Sequence, residues 1–259
     1  MTLDLRTSGQ LPMGENVTNL YDTIGLNYAN LRQPDHRIAG NINAALGNAK
    51  SVLNVGAGAG SYEPADRQIT AVEPSIEMIQ QRPESNAIVV QGSAEQLPFD
   101  DDSFDAAMAV LTIHHWSDQP KGAQEMRRVT RGKIIFLTYD PAFRGFWLFD
   151  YFPALVTLDE GQMPPIDGYE NWLGPTTISS VPIPHDCSDG FLAGYWRRPA
   201  AYLDERVRGA MSSFWALGDV SDGLRRLEAD LKSGDWEQRY GEALELDELD
   251  CGYRLVETG

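Results

Sequence analysis

A short strand-like segment, Val52-Leu53-Asn54-Val55, passes directly into Gly56-Ala57-Gly58-Ala59-Gly60, and the next apolar run ends in an acid, Glu73. Few patterns restrict a fold as much. A buried strand that opens into closely spaced glycines lets the backbone approach a ligand that side chains would exclude. A carboxylate at the end of the following strand stands where it can accept hydrogen bonds from a ribose diol. The spacing therefore predicts two neighbouring parallel strands with a nucleoside-bearing ligand across their ends. Taken alone, Gly-Ala-Gly also forms an ordinary tight turn after a strand.

The glycine spacing narrows the ligand. A dinucleotide fingerprint, G-x-G-x-x-G, aims a helix N-terminus at a pyrophosphate. Here the third glycine comes one residue early, at Gly60, and Ser61 holds its place. The Gly-Lys-Ser/Thr of a P-loop does not occur. Downstream, Ala71-Val72-Glu73-Pro74-Ser75 reads as a strand ending in an acid and then a helix cap. An acid there can also do no more than favour the positive end of a helix dipole. Gln91 to Phe99 then contains the turn Ser93-Ala94-Glu95, and Ser103 to Leu111 is a further strand leading to Thr112-Ile113-His114-His115-Trp116.

In order, spacing and residue type, the block from Val52 to Trp116 resembles the class I S-adenosyl-L-methionine (SAM) dependent methyltransferases, in their small-molecule, type 11-like branch. The resemblance implies a Rossmann-like α/β fold: a doubly wound, seven-stranded, mostly parallel sheet with an antiparallel last strand and a helical, aromatic cap. It implies SAM as cofactor, held by Asn54, Gly56, Gly58, Glu73, Pro74, Ser93, Ala94, Glu95 and Leu111. Two positions depart from the family pattern. Asn54 stands where an acid usually precedes the first glycine, and Ser93 where an aspartate often accepts from adenine; a hydroxyl accepts less strongly than a charged oxygen.

Tyr21 to Asp35 also looks like the leading segment of that branch. On one helix Tyr21, Tyr28 and Arg32 share a face, from which the guanidinium can bind the methionine carboxylate in bidentate fashion; a surface salt bridge is the plainer role for Arg32. His114 is a candidate general base, since imidazole titrates near neutrality. His185 and Asp186 form a second candidate catalytic pair, Asp186 orienting His185, although Asp186 or Ser188 can instead cap a following helix. The expected activity is methyl transfer to an O, N or C nucleophile of a small organic molecule. Asn54 and Ser93 keep two other readings open: a SAM-binding protein with non-methylating chemistry, and a non-catalytic SAM-binding protein.

Composition sets the outer bounds. The 259 residues, 42% hydrophobic, suffice for one α/β domain with a lid. Its parts would be N-terminal helices over 1–50, a SAM-binding core over 51–140, a cap over 141–176, and the rest of the core with added helices over 177–259. A formal net charge of −17 opposes a nucleic-acid partner. Cys187 and Cys251 make no C-x-x-C pair, and no metal-ligand set is visible. No stretch reaches the roughly 20 apolar residues that span a bilayer, and the N-terminus lacks a signal-peptide core. The expected setting is cytoplasmic, without membrane contact and with a small-molecule methyl acceptor; the composition leaves oligomeric state open.

Strands are expected near Ser51–Val55, Ile69–Glu73, Ala87–Gln91, Phe104–Val110, Lys133–Tyr139, Ile178–Ile183 and Gly252–Glu257. Helices are expected over Val17–Leu31, Arg37–Leu46, Ile76–Gln81, Gln119–Val129, Gly190–Trp196, Glu205–Phe214 and Ser221–Lys232. The crossover Ser61 to Gln68 is short and contains Pro64, so only a stub of helix is expected there. Aromatic, Pro- and Gly-rich Pro141 to Gly174 should be an irregular cap.

Overall fold

The structure is a computed structural model that describes residues 31–259. Tyr21, Tyr28 and, but for its last residue, the helix expected over Val17–Leu31 lie outside the described residues. The strands are β1 (Ser51–Val55), β2 (Gln68–Glu73), β3 (Ile88–Gln91), β4 (Phe104–Val110), β5 (Thr130–Tyr139), β6 (Thr176–Ser180), β7 (Ile183–Pro184), β8 (Glu248–Leu249) and β9 (Tyr253–Thr258). Seven of them form one sheet in the order β3-β2-β1-β4-β5-β9-β6. The first five are parallel, and β9 runs antiparallel to both β5 and β6. Strand order reverses between β1 and β4, and a ligand in such a sheet sits outside the carboxyl ends at that point.

The register follows from the residues. Val55 lies opposite Val72, and Leu53 opposite both Thr70 and Ala107, so β1 is walled by apolar neighbours on each side. Its buried residues divide by alternation. Val52, Met108, Ile135 and Leu137 face Ile38, Ile42 and Leu46 of helix α1 (His36–Leu46). Leu53, Ala107 and Phe136 face Ala123, Met126 and Val129, from a helix at Gln119–Val129. Both helices start at a capping aspartate: Asp35 accepts from the Arg37 amide and Asp118 from the Lys121 amide, each at 3.0 Å. Between them in sequence lies the short helix α2 (Ile76–Gln80), so Gln119–Val129 is α3.

The region beyond β5 is more regular than its composition suggests. It holds α4 (Leu148–Tyr151), α5 (Ala154–Gln162) and α6 (Gly168–Leu173), short helices set by packing more than by periodicity. Trp147 anchors them. Its indole N–H donates to the Trp196 carbonyl at 2.9 Å, and its ring meets Trp236 and Tyr202 edge-on at 5.2 and 5.6 Å. Trp196 is itself buried and donates to the Ile183 carbonyl at 2.8 Å. The cap is thereby tied to the C-terminal third of the chain.

Several expected elements end elsewhere. The strand expected through Ile183 leaves the main sheet after Ser180, because Pro182 has no N–H to continue the ladder; Ile183–Pro184 pairs instead with Glu248–Leu249. Ser61 to Arg67 makes turns and no helix. The helix expected over Gly190–Trp196 is a 3-10 turn at Leu192–Tyr195, and Gly209 divides Glu205–Arg208 from Ser212–Ala216. A helix at Asp235–Tyr240 was not expected. Among the described residues no helix is long and apolar enough to cross a membrane.

Replacing Trp147 by Ala removes a buried ring and strands the Trp196 carbonyl. Urea unfolding should show a loss of about 3–5 kcal/mol; a loss near zero would mean that the cap is not anchored through this residue.

Candidate active site

The loop after β1 is shaped by one carbonyl. Gly56 and Ala57 both donate to the Val72 oxygen, at 2.9 and 3.0 Å, which folds the chain back over the end of β2. Gly56, at φ +68°, leaves no room for a side chain: a Cβ there would lie 2.1 Å from the Thr112 hydroxyl. Gly58 donates to Glu73 Oε2 at 2.8 Å, and the Ser75 amide donates to Glu73 Oε1 at 2.9 Å. Glu73 is buried, which raises its pKa, while the two amides and Arg82 favour the charged form. Each oxygen keeps a further lone pair for a ligand hydroxyl.

Asn54 is buried at the base of this loop. Its Nδ2 donates to Glu63 Oε1 at 2.9 Å, and Arg82 Nη2 closes on Glu63 Oε2 at 2.5 Å while its Nη1 donates to the Gly58 carbonyl at 3.1 Å. The carboxylate absent from position 54 is thus present nine residues later. The amide at position 54 donates to Glu63, which a carboxylate there could not do at neutral pH. The Asn54 Oδ1 is buried with no partner among the described residues. Glu63 and Arg82 were not foreseen, since charged residues in a loop are read as solvated unless their partner is known.

The remaining sequence candidates are distributed as follows. Pro74 is exposed and its carbonyl accepts from Gln91 Nε2 at 3.1 Å. Ala94 is buried and Ser93 exposed. Glu95 Oε1 accepts from the Ser117 amide at 2.8 Å and the Asp118 amide at 3.2 Å, so this carboxylate pins the turn before α3. Trp116 packs over Gly122, where a Cβ would lie 2.6 Å from its ring. Leu111 has φ +50°, unusual for a branched residue, and donates to the Leu137 carbonyl at 2.8 Å; the left-handed conformation costs about 1–3 kcal/mol.

Arg32 is paired within the protein. Its Nε donates to Asp189 Oδ1 at 2.6 Å, and Asp189 Oδ2 accepts from Tyr62 Oη at 2.8 Å. Asp186 does not orient His185. It is exposed, and its carboxylate accepts from Arg37 at 2.7 Å, while the His185 amide donates to the Asp247 carbonyl at 2.8 Å. The guanidinium outcompetes an imidazole because it offers a fixed charge. No cap bond joins Asp186 or Ser188 to the following 3-10 turn.

His114 lies in a 3-10 turn, Ile113–His115, at the end of β4. Burial, the neighbouring His115 and the Arg32 charge push its pKa well below the usual histidine value, so the ring is neutral near pH 7. Its Nδ1 is buried with no partner among the described residues, and the same holds for Tyr139 Oη at the end of β5. Asp159 of α5 was not foreseen either: burial pushes its carboxyl up to about 7, Arg144 working against that. No group of three metal-ligating side chains occurs among the described residues, and both cysteines are free and buried.

A methyltransferase-domain family profile matches residues 53–137. The crystal structure of a candidate methyltransferase from an antibiotic biosynthesis pathway of Anabaena variabilis ATCC 29413 is similar over 89% of this chain and 99% of its own, at 38% identity and a TM-score of 0.82. An uncharacterized methyltransferase, YcgJ of Bacillus subtilis, is 36% identical over 100 residues, 34% of this chain and 40% of its own length. The ubiquinone/menaquinone biosynthesis C-methyltransferase UbiE of Geobacter sp. is 31% identical over 131 residues, 42% of this chain and 56% of its own. The chain thus spans about half or less of these two curated relatives and nearly all of the Anabaena protein.

Two outcomes follow. Asn54→Asp places a second carboxylate against Glu63 and should lower the melting temperature, with Asn54→Asp/Glu63→Gln recovering most of the loss; equal melting of wild type and Asn54→Asp would show that the Asn54 to Glu63 bond is dispensable. For Asp159, a carboxyl whose pKa is raised on folding destabilises the folded state as pH climbs from its ordinary value near 3.8 towards 7. In circular-dichroism melts the stability advantage of Asp159→Asn over wild type should therefore open across that interval and stay level above it. An advantage independent of pH would contradict this.

Proposed function

Because the chain belongs to the class I SAM-dependent methyltransferases, we propose that it transfers the SAM methyl group to an O, N or C nucleophile of a small organic molecule. The reading rests above all on the union of the glycine loop with Glu73. A loop whose first glycine admits no side chain, drawn by its Gly58 amide onto a buried carboxylate, fits a ribose laid across the ends of β1 and β2. The unpartnered Asn54 Oδ1 and His114 Nδ1 at the same strand ends are polar atoms of the kind a bound ligand satisfies.

SAM supplies an electrophilic methyl group on a positively charged sulfur. The protein's share is placement. In this reading Glu73 accepts both ribose hydroxyls, Gly56, Gly58 and Pro74 give the backbone a close approach, and Ser93, Ala94 and Glu95 border the adenine. Leu111 and Asn54 frame the methionine end. Arg32 contributes through its pair with Asp189 as a fixed positive edge near His114. The aromatic cap excludes water from the reacting atoms, and holding donor and acceptor in line supplies much of the rate. An acceptor already anionic needs no base.

The UbiE similarity supports a small-molecule acceptor, with carbon as one candidate nucleophile. Glu73→Ala should weaken S-adenosylhomocysteine (SAH) binding by about 1–3 kcal/mol, roughly 5- to 150-fold by calorimetry. Incubation with methyl-labelled SAM and a small-metabolite extract should move label into a small product. Tight SAM binding with no transferred label would instead favour non-methylating chemistry or a non-catalytic role.

A further inference from the structure

Three polar groups lie at the acceptor end of the sheet, two of them buried without a partner among the described residues. Tyr139 closes β5, two residues past Leu137, whose carbonyl accepts from the Leu111 amide. His114 lies in the turn that follows Leu111. Gln119 Nε2 donates both to the Ile113 carbonyl at 3.3 Å and to the Gln162 carbonyl at 2.8 Å, which draws the last turn of α5 to that same turn. Asp159 belongs to this last turn, its own carbonyl accepting from the Met163 amide at 2.8 Å. Its charge acts on both Tyr139 and Tyr253.

Tyr139 Oη and His114 Nδ1 are buried and unpartnered among the described residues, and beside them the Asp159 carboxylate is half-buried. Arg144, the cation near it, is engaged by Glu160. Native interiors satisfy buried polar groups almost without exception. One isolated lapse is unremarkable, but two at the ends of β4 and β5, beside a half-buried carboxylate of α5, point to a ligand.

We propose that Asp159, Tyr139 and His114 form the polar end of an acceptor site that takes a protonated amine carried on an aromatic or apolar body. This inference rests on the methyltransferase reading and names the substrate class. The surroundings select it: Tyr139 meets Tyr253 edge-on at 5.4 Å, Tyr253 meets Phe191 at 4.8 Å, and the space beside Gly252 is filled by Tyr139 and Phe143. Aromatic faces attract cations and accept flat molecules. An anionic acceptor would be repelled by the ionised Asp159, whereas an ammonium favours that ionised form over the neutral acid. The ammonium supplies an ion partner, and Tyr139 and His114 receive or donate the remaining hydrogen bonds. The net charge of −17 favours arrival of cations.

The test uses the full chain saturated with SAH. Benzylamine, 2-phenylethylamine and 3-phenylpropylamine are titrated calorimetrically beside the alcohol and carboxylate of each length. At least one amine should bind ten-fold or more tightly than both counterparts. Asp159→Asn should erase that preference while raising the melting temperature of the ligand-free protein, and Tyr139→Phe should shrink the preference several-fold. No amine preference in the wild type, or a preference that survives Asp159→Asn, overturns the proposal. So does an Asp159→Asn chain that fails to fold, because the carboxylate would then be a structural partner. Retained SAH binding with no amine preference defeats this inference alone; absent SAH binding defeats the methyltransferase reading with it.

Discussion

The carbonyl of Val72, taking the amides of Gly56 and Ala57 together, is the contact on which the ligand end of this protein depends. It exists because β1 and β2 are parallel and in register, Val55 beside Val72, so that β2 reaches just far enough to catch the chain as it leaves β1. The turn that results sends Gly58 to Glu73 and leaves Gly56 in contact with Thr112 across the switch point. A side chain at Gly56 or a one-residue slip of β2 would open the turn, and Glu73 would then face solvent with neither amide. The shape of this candidate cofactor end is a property of strand register before it is a property of any side chain.

Much of this was readable from residues. Glycine after the mostly apolar Val52–Val55, an acid after the next such run, and apolar residues through Ala106 to Ala109 define β1, β2 and β4 by chemistry that has little alternative once one face of each must be buried. Caps at Asp35, Ser75 and Asp118 mark helix starts in the same local way. The cap region resisted because its helices are four to nine residues long; their stability comes from Trp147 and Trp196 reaching partners some tens of residues away, which no local periodicity records. The same holds for the site. Glu73 announces itself by position, whereas Glu63, Arg82 and Asp159 acquire meaning only from neighbours that the fold supplies.

Asn54 illustrates the difference. Read in sequence, a neutral amide in place of an acid suggests a weakened or repurposed site. In the folded chain the amide is the donor that a relocated carboxylate requires: Glu63 occupies the adjoining space, Arg82 balances its charge, and the guanidinium reaches the Gly58 carbonyl from there. An aspartate at 54 would oppose Glu63. The departure from the family pattern is therefore matched by a partner within this chain, and by itself it gives no ground for inferring lost function.

Where this protein keeps its unfavourable features is also informative. Tyr62 and Leu111 hold left-handed backbone that bulky residues avoid, and both flank the strand ends β1 and β4; Asp102, the third such residue, is of a type that tolerates it. Among the buried polar side-chain atoms of the described residues that lack partners, Asn54, His114 and Tyr139 lie at the same ends, and only Thr130 and Trp236 lie away from the glycine loop, its neighbouring helix and those ends. The sheet beneath is conventional, closely packed on both faces by α1 and α3. Such a division fits a binding site carried on a stable scaffold: the unsatisfied groups gather where a ligand could meet them, and the packed core beneath holds them in place.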